Sequence, residues 1–351
     1  MSGPLVLAIE SSCDETGVAL VEGGSRIHSN VVASQVALHA PAGGIVPEVA
    51  ARAHLRWILP VLDEARAGAE WSDIDAVAVT HGPGLAGSLL VGLSVAKTLA
   101  WVHRVPLVGV NHLEGHIYAA WLRDAGQELP EPAFPLVALV VSGGHTFLAH
   151  MRDHLEYRLL GTTIDDAAGE AFDKVGRLLG LGYPGGPAIQ KAAEGASRRD
   201  AVFPRAWLGD SYDMSFSGLK TAARRIVAAA REGAGIAEEP DVPLSPEIVA
   251  ELAWGFQDAV VDVLVTKTIR AARATHARSI VLGGGVAANG PLREHLAREA
   301  EAIGVPLVVP RPALCTDNGA MIGAAGARRF LRGERAGLDL EARPSLPLAR
   351  R

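Results

Sequence analysis

The side chains of this 351-residue chain best placed to do chemistry are two histidines four residues apart, in Asn111-His112-Leu113-Glu114-Gly115-His116. On a helix such a pair shares one face, so both imidazoles aim at one point. Two converging imidazoles suit zinc, iron, nickel or copper. On a zinc-protease helix the Glu directly follows the first His. Here Glu114 stands two residues on, roughly on the opposite face, and cannot serve as base on the same metal. An HxxxH pair alone is more often incidental, so its position has to support it. The apolar run Val105–Val110 reads as a buried strand. Asn111 is a good N-cap, which starts a helix at that strand's carboxyl end.

Short polar turns between apolar runs carry the remaining chemistry. Residues 4–22 read strand, turn, strand, with Glu10-Ser11-Ser12-Cys13-Asp14-Glu15-Thr16 between the strands, a turn suited to a phosphate or its metal. Standing alone it would be an ordinary hairpin turn. A helix is expected over Val46–Ala67, with Pro60 inside it, then a strand at Ala76–Val79 and a helix over Ser88–His103. Gly82-Pro83-Gly84-Leu85-Ala86-Gly87 has the GxGxxG form. The dinucleotide-binding reading needs an acidic residue about 20 positions on, and the next strand ends at Asn111-His112 instead, which rejects it. After a Pro-rich linker at Glu128–Pro135 the pattern restarts: strand, Ser142-Gly143-Gly144-His145-Thr146, strand. Later comes Gly283-Gly284-Gly285-Val286-Ala287-Ala288-Asn289, a helix over Pro291–Ala302, and Val305-Pro306-Leu307-Val308, which repeats Val105-Pro106-Leu107-Val108.

Each half thus runs hairpin, strand, glycine turn, helix, VPLV strand and ligand-bearing turn, the signature of an internal duplication. The expected division is 1–130 and 134–332, with a non-repeated insertion at about 155–275 and a disordered tail at 333–351. Equivalent loops of two such halves would face each other across a cleft, at strand carboxyl ends where α/β sheets bind ligands. The second VPLV strand leads to Cys315-Thr316-Asp317-Asn318-Gly319, which makes Asp317 the third ligand of a two-His, one-carboxylate site. The plainer alternative has Asp317 capping the helix that follows. In the insertion, Asp166, Glu170 and Asp173 read as a solvated acidic stripe. Arg224, Arg225 and Arg231, after Ser215-Phe216-Ser217-Gly218-Leu219-Lys220, form either a nucleic-acid patch or a solvated basic face.

Composition narrows the class. Hydrophobic residues make up 49% of the chain and mean hydropathy is +0.20, enough core for a soluble α/β protein. Cys13 and Cys315 are the two cysteines and no CxxC occurs, which excludes a disulfide scaffold or a cysteine-held zinc and suits a reduced, cytoplasmic setting. No signal peptide and no 18-residue apolar stretch are expected, hence no membrane association. A net charge of −6 argues against broad nucleic-acid coating but permits a local patch.

Paired phosphate turns and a glycine-rich loop in two related halves resemble the actin-like ATPase (ASKHA) fold, with two duplicated RNase-H-like halves and a cleft. The seven motifs at Glu10–Thr16, Asn111–His116, Val141–His145, Ala171–Lys174, Tyr183–Pro187, Ser215–Lys220 and Gly284–Asn289, in that order, closely resemble the bacterial TsaD family over residues 4–332. The resemblance implies transfer of threonylcarbamoyl from threonylcarbamoyl-AMP to the exocyclic N6 amine of adenosine 37 in tRNAs reading codons that begin with A, with release of AMP. It implies one divalent metal, usually described as iron with zinc as the alternative, on His112, His116 and Asp317. It implies adenylate contacts from Val141, Ser142, Gly143, Gly144, His145, Asp173, Gly186 and Asn289. Some members carry Asp where this chain has Gln190. The implied partners are tRNA, a TsaB-like paralogue forming a heterodimer, and a TsaE-like ATPase. His145, Asp14 and Glu15 are candidates for taking the amine proton. Two other readings compete: a metalloprotease and a nucleotide-binding scaffold.

Overall fold

The computed structural model describes residues 3–66, 68–127, 130–237 and 242–349; Glu128 and Leu129 of the expected linker lie outside them. The first sheet begins with β1 (Leu5–Glu10), an apolar run closed by Glu10 and buried almost throughout, as a central strand must be. β2 (Glu15–Glu22) and β3 (Arg26–Ser34) follow as an antiparallel meander, with Ile9 opposite Val18 and Val18 opposite Val31. The short α1 (Val36–His39) precedes α2 (Pro47–Ala65), which opens on Pro47, where a missing N–H costs nothing. β4 (Ala76–Gly82), α3 (Ala86–His103), β5 (Leu107–Asn111) and α4 (His112–Tyr118) complete this portion. β4 lies parallel to β1, and β5 parallel to β4.

The second portion comprises β6 (Leu136–Val141), β7 (Thr146–Met151), β8 (Tyr157–Thr162), α5 (Ala168–Leu178), α6 (Gly185–Ala193), α7 (Ser217–Gly233) and α8 (Pro246–Ala274). β9 (Ser279–Gly283), α9 (Gly290–Ala302), β10 (Leu307–Val308), α10 (Pro312–Cys315) and α11 (Gly319–Leu331) end the chain's regular elements. The sheet orders are β3-β2-β1-β4-β5 and β10-β9-β6-β7-β8. Reversed, the second is the first with every strand advanced by five places, so the duplication is one of topology as well as sequence. The parallel pairs β6/β9 and β9/β10 match β1/β4 and β4/β5.

The chain forms two compact units, and their boundaries differ from the expected ones. One unit holds Met1–Ala133, Met151–Tyr157 and Pro310–Arg350; the other holds Phe134–His150 and Arg158–Val309. The returning segment joins the first unit because α11 presents small residues to the first sheet. A Cβ on Gly319 would lie 2.6 Å from Val18, one on Gly323 2.7 Å from Val21, and one on Gly326 2.5 Å from Ala78. Only glycine allows that approach. Asp317 therefore belongs to the same unit as His112 and His116, rather than facing them from the other half. Nor is the tail disordered over its described residues: Ala336 N donates to Leu107 O at 2.8 Å and Arg343 N to His81 O at 2.7 Å.

α3 also departs from expectation, being 18 residues long with a mean hydropathy of 1.2, enough in length and apolarity to span a bilayer. It packs against α2, β4, β1 and β5, which gives its buried face a core role, while Leu90, Trp101 and Val102 stay exposed.

Candidate metal centre and substrate turns

β5 hands the chain to α4 at Asn111, whose Oδ1 accepts from Leu113 N at 2.9 Å and so caps the helix as its residue type demands. One turn apart on α4, the His112 and His116 rings have centroids 4.7 Å apart and planes at 80°. Asp317 Oδ1 lies 3.6 Å from His112 Nε2 and 3.2 Å from His116 Nε2. One ligand atom from each residue falls within 4.8 Å of the others. His116 is fully buried, and neither ring nitrogen has a hydrogen-bond partner among the described residues. A buried imidazole so placed costs free energy unless something accepts its lone pair, and a cation does so. The donor set therefore fits one divalent metal. Asp317 is not the helix cap: Asn318 Oδ1 takes that place, accepting from Met321 N at 3.0 Å.

Behind the ligands stands the 10–16 turn. Glu10, fully buried, lies 3.1 Å from His112 Nδ1 through Oε2 and accepts from Thr80 Oγ1 at 2.6 Å and Ser12 N at 2.5 Å. Ser12 Oγ is also 3.1 Å from His112 Nδ1. Committing Nδ1 to this side leaves Nε2 for a metal, the usual carboxylate–histidine arrangement that fixes ring and tautomer. Burial would raise Glu10, but the charge and hydrogen bond of His112 outweigh it and hold Glu10 below its ordinary value. Burial alone would lower His112; Asp317 and Glu10 reverse this and push it up to about 9. Glu15 is pushed up to about 10 by burial and by the charges of Asp317 and Asp14. Burial and the same carboxylates hold the Cys13 thiol well above its usual range, so it stays protonated. The turn is braced by His54, which bridges Thr16 Oγ1 at 2.7 Å and Cys13 O at 2.9 Å. Gly84 belongs to this packing and not to a nucleotide, since a Cβ there would lie 2.6 Å from Ser12 O.

Sequence reasoning missed the group that fixes α4. Glu114, fully buried, accepts from Arg329 Nε at 2.6 Å, from Arg329 Nη2 at 3.1 Å and from Tyr157 Oη at 2.6 Å. This bidentate pair ties α4 to α11, the helix that follows Asp317, and so sets the distance between the ligands. One arginine among the Arg328, Arg329 and Arg332 cluster at the end of α11 carried no signal of it.

The residues expected at the adenylate all lie in the second unit. Ser142 N donates to His145 O at 2.8 Å and His145 N to Ser142 Oγ at 3.1 Å, closing a tight turn. Gly143 and Gly144 sit exposed at its tip, with open space where a Cβ would be. Two glycines let neighbours approach: a Cβ on Gly169 would meet Ser142 O at 2.5 Å, and one on Gly284 (φ +87°) would meet Val141 O at 2.4 Å. Asp173 is half-buried and accepts from Gly185 N at 2.7 Å, orienting the turn that carries Gly186. It is therefore no part of a solvated stripe; Asp166 and Glu170 form the stripe, both paired with Lys174. Asn289 caps α9 through Leu292 N and donates to Gln257 Oε1 at 2.8 Å. Gln190 Oε1 accepts from Gly290 N at 3.1 Å. A cavity of about 510 Å³ is lined by Gln190, Gln257, Gly290, His295 and Arg298. Of the basic trio, Arg224 and Arg225 are exposed on α7, whereas Arg231 is spent on Val242 O and Ile236 O. Asp165 holds the start of α7, accepting from Phe216 N and both Ser215 and Ser217 hydroxyls.

A family model described as TsaD, tRNA N6-adenosine threonylcarbamoyltransferase, matches residues 26–324. The chain belongs to the TsaD family. A tRNA N6-adenosine threonylcarbamoyltransferase of Thermomicrobium roseum is 56% identical over 99% of this chain and 98% of its own. One from Bacillus subtilis is 49% identical over 98% and 95%. Among solved structures, HypF of T. kodakarensis superposes with a TM-score of 0.61 at 14% identity, covering 94% of this chain and 48% of its own, which establishes the actin-like fold. As a TsaD enzyme the chain is a transferase that modifies the N6 amine of a tRNA adenosine.

Proposed function

We propose that the triad of His112, His116 and Asp317 and the turns of the second unit serve one reaction: transfer of threonylcarbamoyl from threonylcarbamoyl-AMP to N6 of adenosine 37, with AMP leaving. The donor is a mixed carbamic–phosphoric anhydride and already activated, so the enzyme's task is to position it and stabilise developing oxyanion charge. A divalent cation on the triad would supply positive charge against that oxyanion or the leaving phosphate. Two imidazoles and one carboxylate with open positions suit Fe(II), with Zn(II) as the alternative. The Val141–His145 turn offers amides to the phosphate without adding charge, while Asp173, Gly186 and Asn289 would hold the nucleoside. Gln190 is already engaged with Gly290 N, which leaves its amide nitrogen for a ribose hydroxyl.

The observation that carries this reading is the convergence of the three ligand atoms within 4.8 Å, backed by Glu10 on His112. A protease reading loses its base, since Glu114 is consumed by Arg329 and Tyr157. Of the three candidate proton acceptors, Glu15 suits the task least at neutral pH, because its carboxyl, pushed up to about 10, already holds a proton. A scaffold would bind nucleotide and leave the buried histidine pair and Asp317 without use. The reading includes a TsaB-like paralogue as partner, a TsaE-like ATPase and a cytoplasmic site of action, where unmodified tRNA is found. Exposed Leu55 and Leu59 on α2 and Leu90 and Trp101 on α3 are apolar surface of the kind a partner covers. Reconstitution with threonylcarbamoyl-AMP, unmodified tRNA and the companion proteins, read by nucleoside mass spectrometry, tests it. Threonylcarbamoyladenosine that disappears on chelation and returns with Fe(II) is expected; undiminished product in the chelated enzyme would remove the metal from the mechanism.

A further inference from the structure

The region matched by the family model ends within α11, at residue 324, and beyond α11 the chain returns to the framework of the metal centre. Ala336 bridges Leu107 in antiparallel fashion, covering the outer edge of β5, and Leu340 packs on Gly109. The next residues cross the turn after β4: Arg343 N donates to His81 O at 2.7 Å, and Pro344 O accepts from Gly84 N at 3.1 Å. Gly82 lies directly beneath, where a Cβ would come within 2.0 Å of Arg343 O. Pro347 O then accepts from Asn111 Nδ2 at 3.0 Å.

That last bond matters because of what Asn111 does. It is 5% exposed and its Oδ1 caps α4 one residue before His112. With the oxygen committed to Leu113 N, the amide nitrogen must find an acceptor or be stranded in a buried site, and Pro347 supplies one. A buried amide satisfied at both ends cannot turn, so its cap holds the first turn of α4 in one place. His112 is the first residue of that turn. We infer that residues 343–347 form a positioning strap for the metal centre, fixing the Asn111 cap and through it the His112 ring; the inference rests on the metal reading above.

The test compares Zn(II) affinity, measured by competition with a chromophoric chelator, in five proteins. These are the full chain, a chain ending at Ala342, the Gly82→Ala variant of each, with Asp317→Asn in the full chain as the reference for a damaged site. The shortened chain keeps the Ala336 bridge and Leu340, so its thermal midpoint should stay close to that of the full chain. Its Zn(II) affinity should fall about fivefold, the worth of one ordinary hydrogen bond. Gly82→Ala forces Arg343 away and, at φ +156° beside Asn111, also strains the turn itself, so it should weaken binding in both chains, and by a larger factor in the full chain, where the strap is lost as well. Full affinity in the shortened chain, with Asp317→Asn still defective, would overturn the strap alone. Zn(II) binding that Asp317→Asn does not weaken would overturn the metal reading itself.

Discussion

The two regions proposed to carry chemistry are built in opposite ways. In the first unit the candidate site is buried and charged: Glu10 and His116 are fully buried, His112 is 5% exposed, and the candidate ligands stand at positions 112, 116 and 317. In the second unit the turn at 142–145 is open at its glycines and offers uncharged backbone. Charge held away from water needs partners on every side, and a compact unit can supply these only from distant parts of the chain. Amides in a turn need only the turn.

The comparison implies that each region can be damaged without the other, and the largest effect should come from the buried charges. Arg329→Leu strands the Glu114 carboxylate and should cost about 3–5 kcal/mol of stability, together with metal affinity. Glu114→Gln should cost less, because Arg329, 25% exposed, can turn to solvent. Thermal unfolding in parallel with metal titration checks the order; equal costs would mean the pair is not desolvated. Gly284→Ala acts on the other region: its Cβ would press on Val141 O, so AMP binding should fall at least tenfold while metal content stays whole, as calorimetry and elemental analysis would show. A joint loss would merge the two regions. Asp173→Asn keeps an acceptor for Gly185 N but not its charge and should weaken AMP severalfold, by about 1 kcal/mol. Smallest should be the paired Arg224→Ala and Arg225→Ala change on α7. It should flatten the salt dependence of tRNA binding by roughly 1 unit of slope per lost phosphate contact, with AMP binding intact.

This difference also explains what could be read in advance. The turns were legible because their residues are neighbours in sequence, as were the β5–α4 junction with its Asn111 cap and the HxxxH face. The duplicated order of strands was legible from the repeated VPLV strand and glycine turn. The return of residues 310–350 to the first unit was not, because glycine and alanine spacing on α11 shows small residues without naming the surface they meet. Asp317 was proposed from the symmetry of the halves, and it lies beside His112 and His116 although the segment bearing it packs with the first unit. Glu114 with Arg329, 215 positions apart, and Glu10 with Thr80, 70 apart, are pairings of separation that no local pattern encodes. Asp173 was misread for the same reason, since helical spacing places it on a face but does not show Gly185 N waiting there.

The central claim is that His112, His116 and Asp317 hold a metal on which transfer depends, and Asp317→Asn tests it most directly. Because Asn318 is the cap of α11, this change removes one negative charge and little else, so stability should shift by no more than about 1 kcal/mol. Metal content per chain, measured by elemental analysis beside threonylcarbamoyladenosine formed on tRNA, should fall together with product to near background. Full metal occupancy and normal product in the Asp317→Asn enzyme would contradict the account.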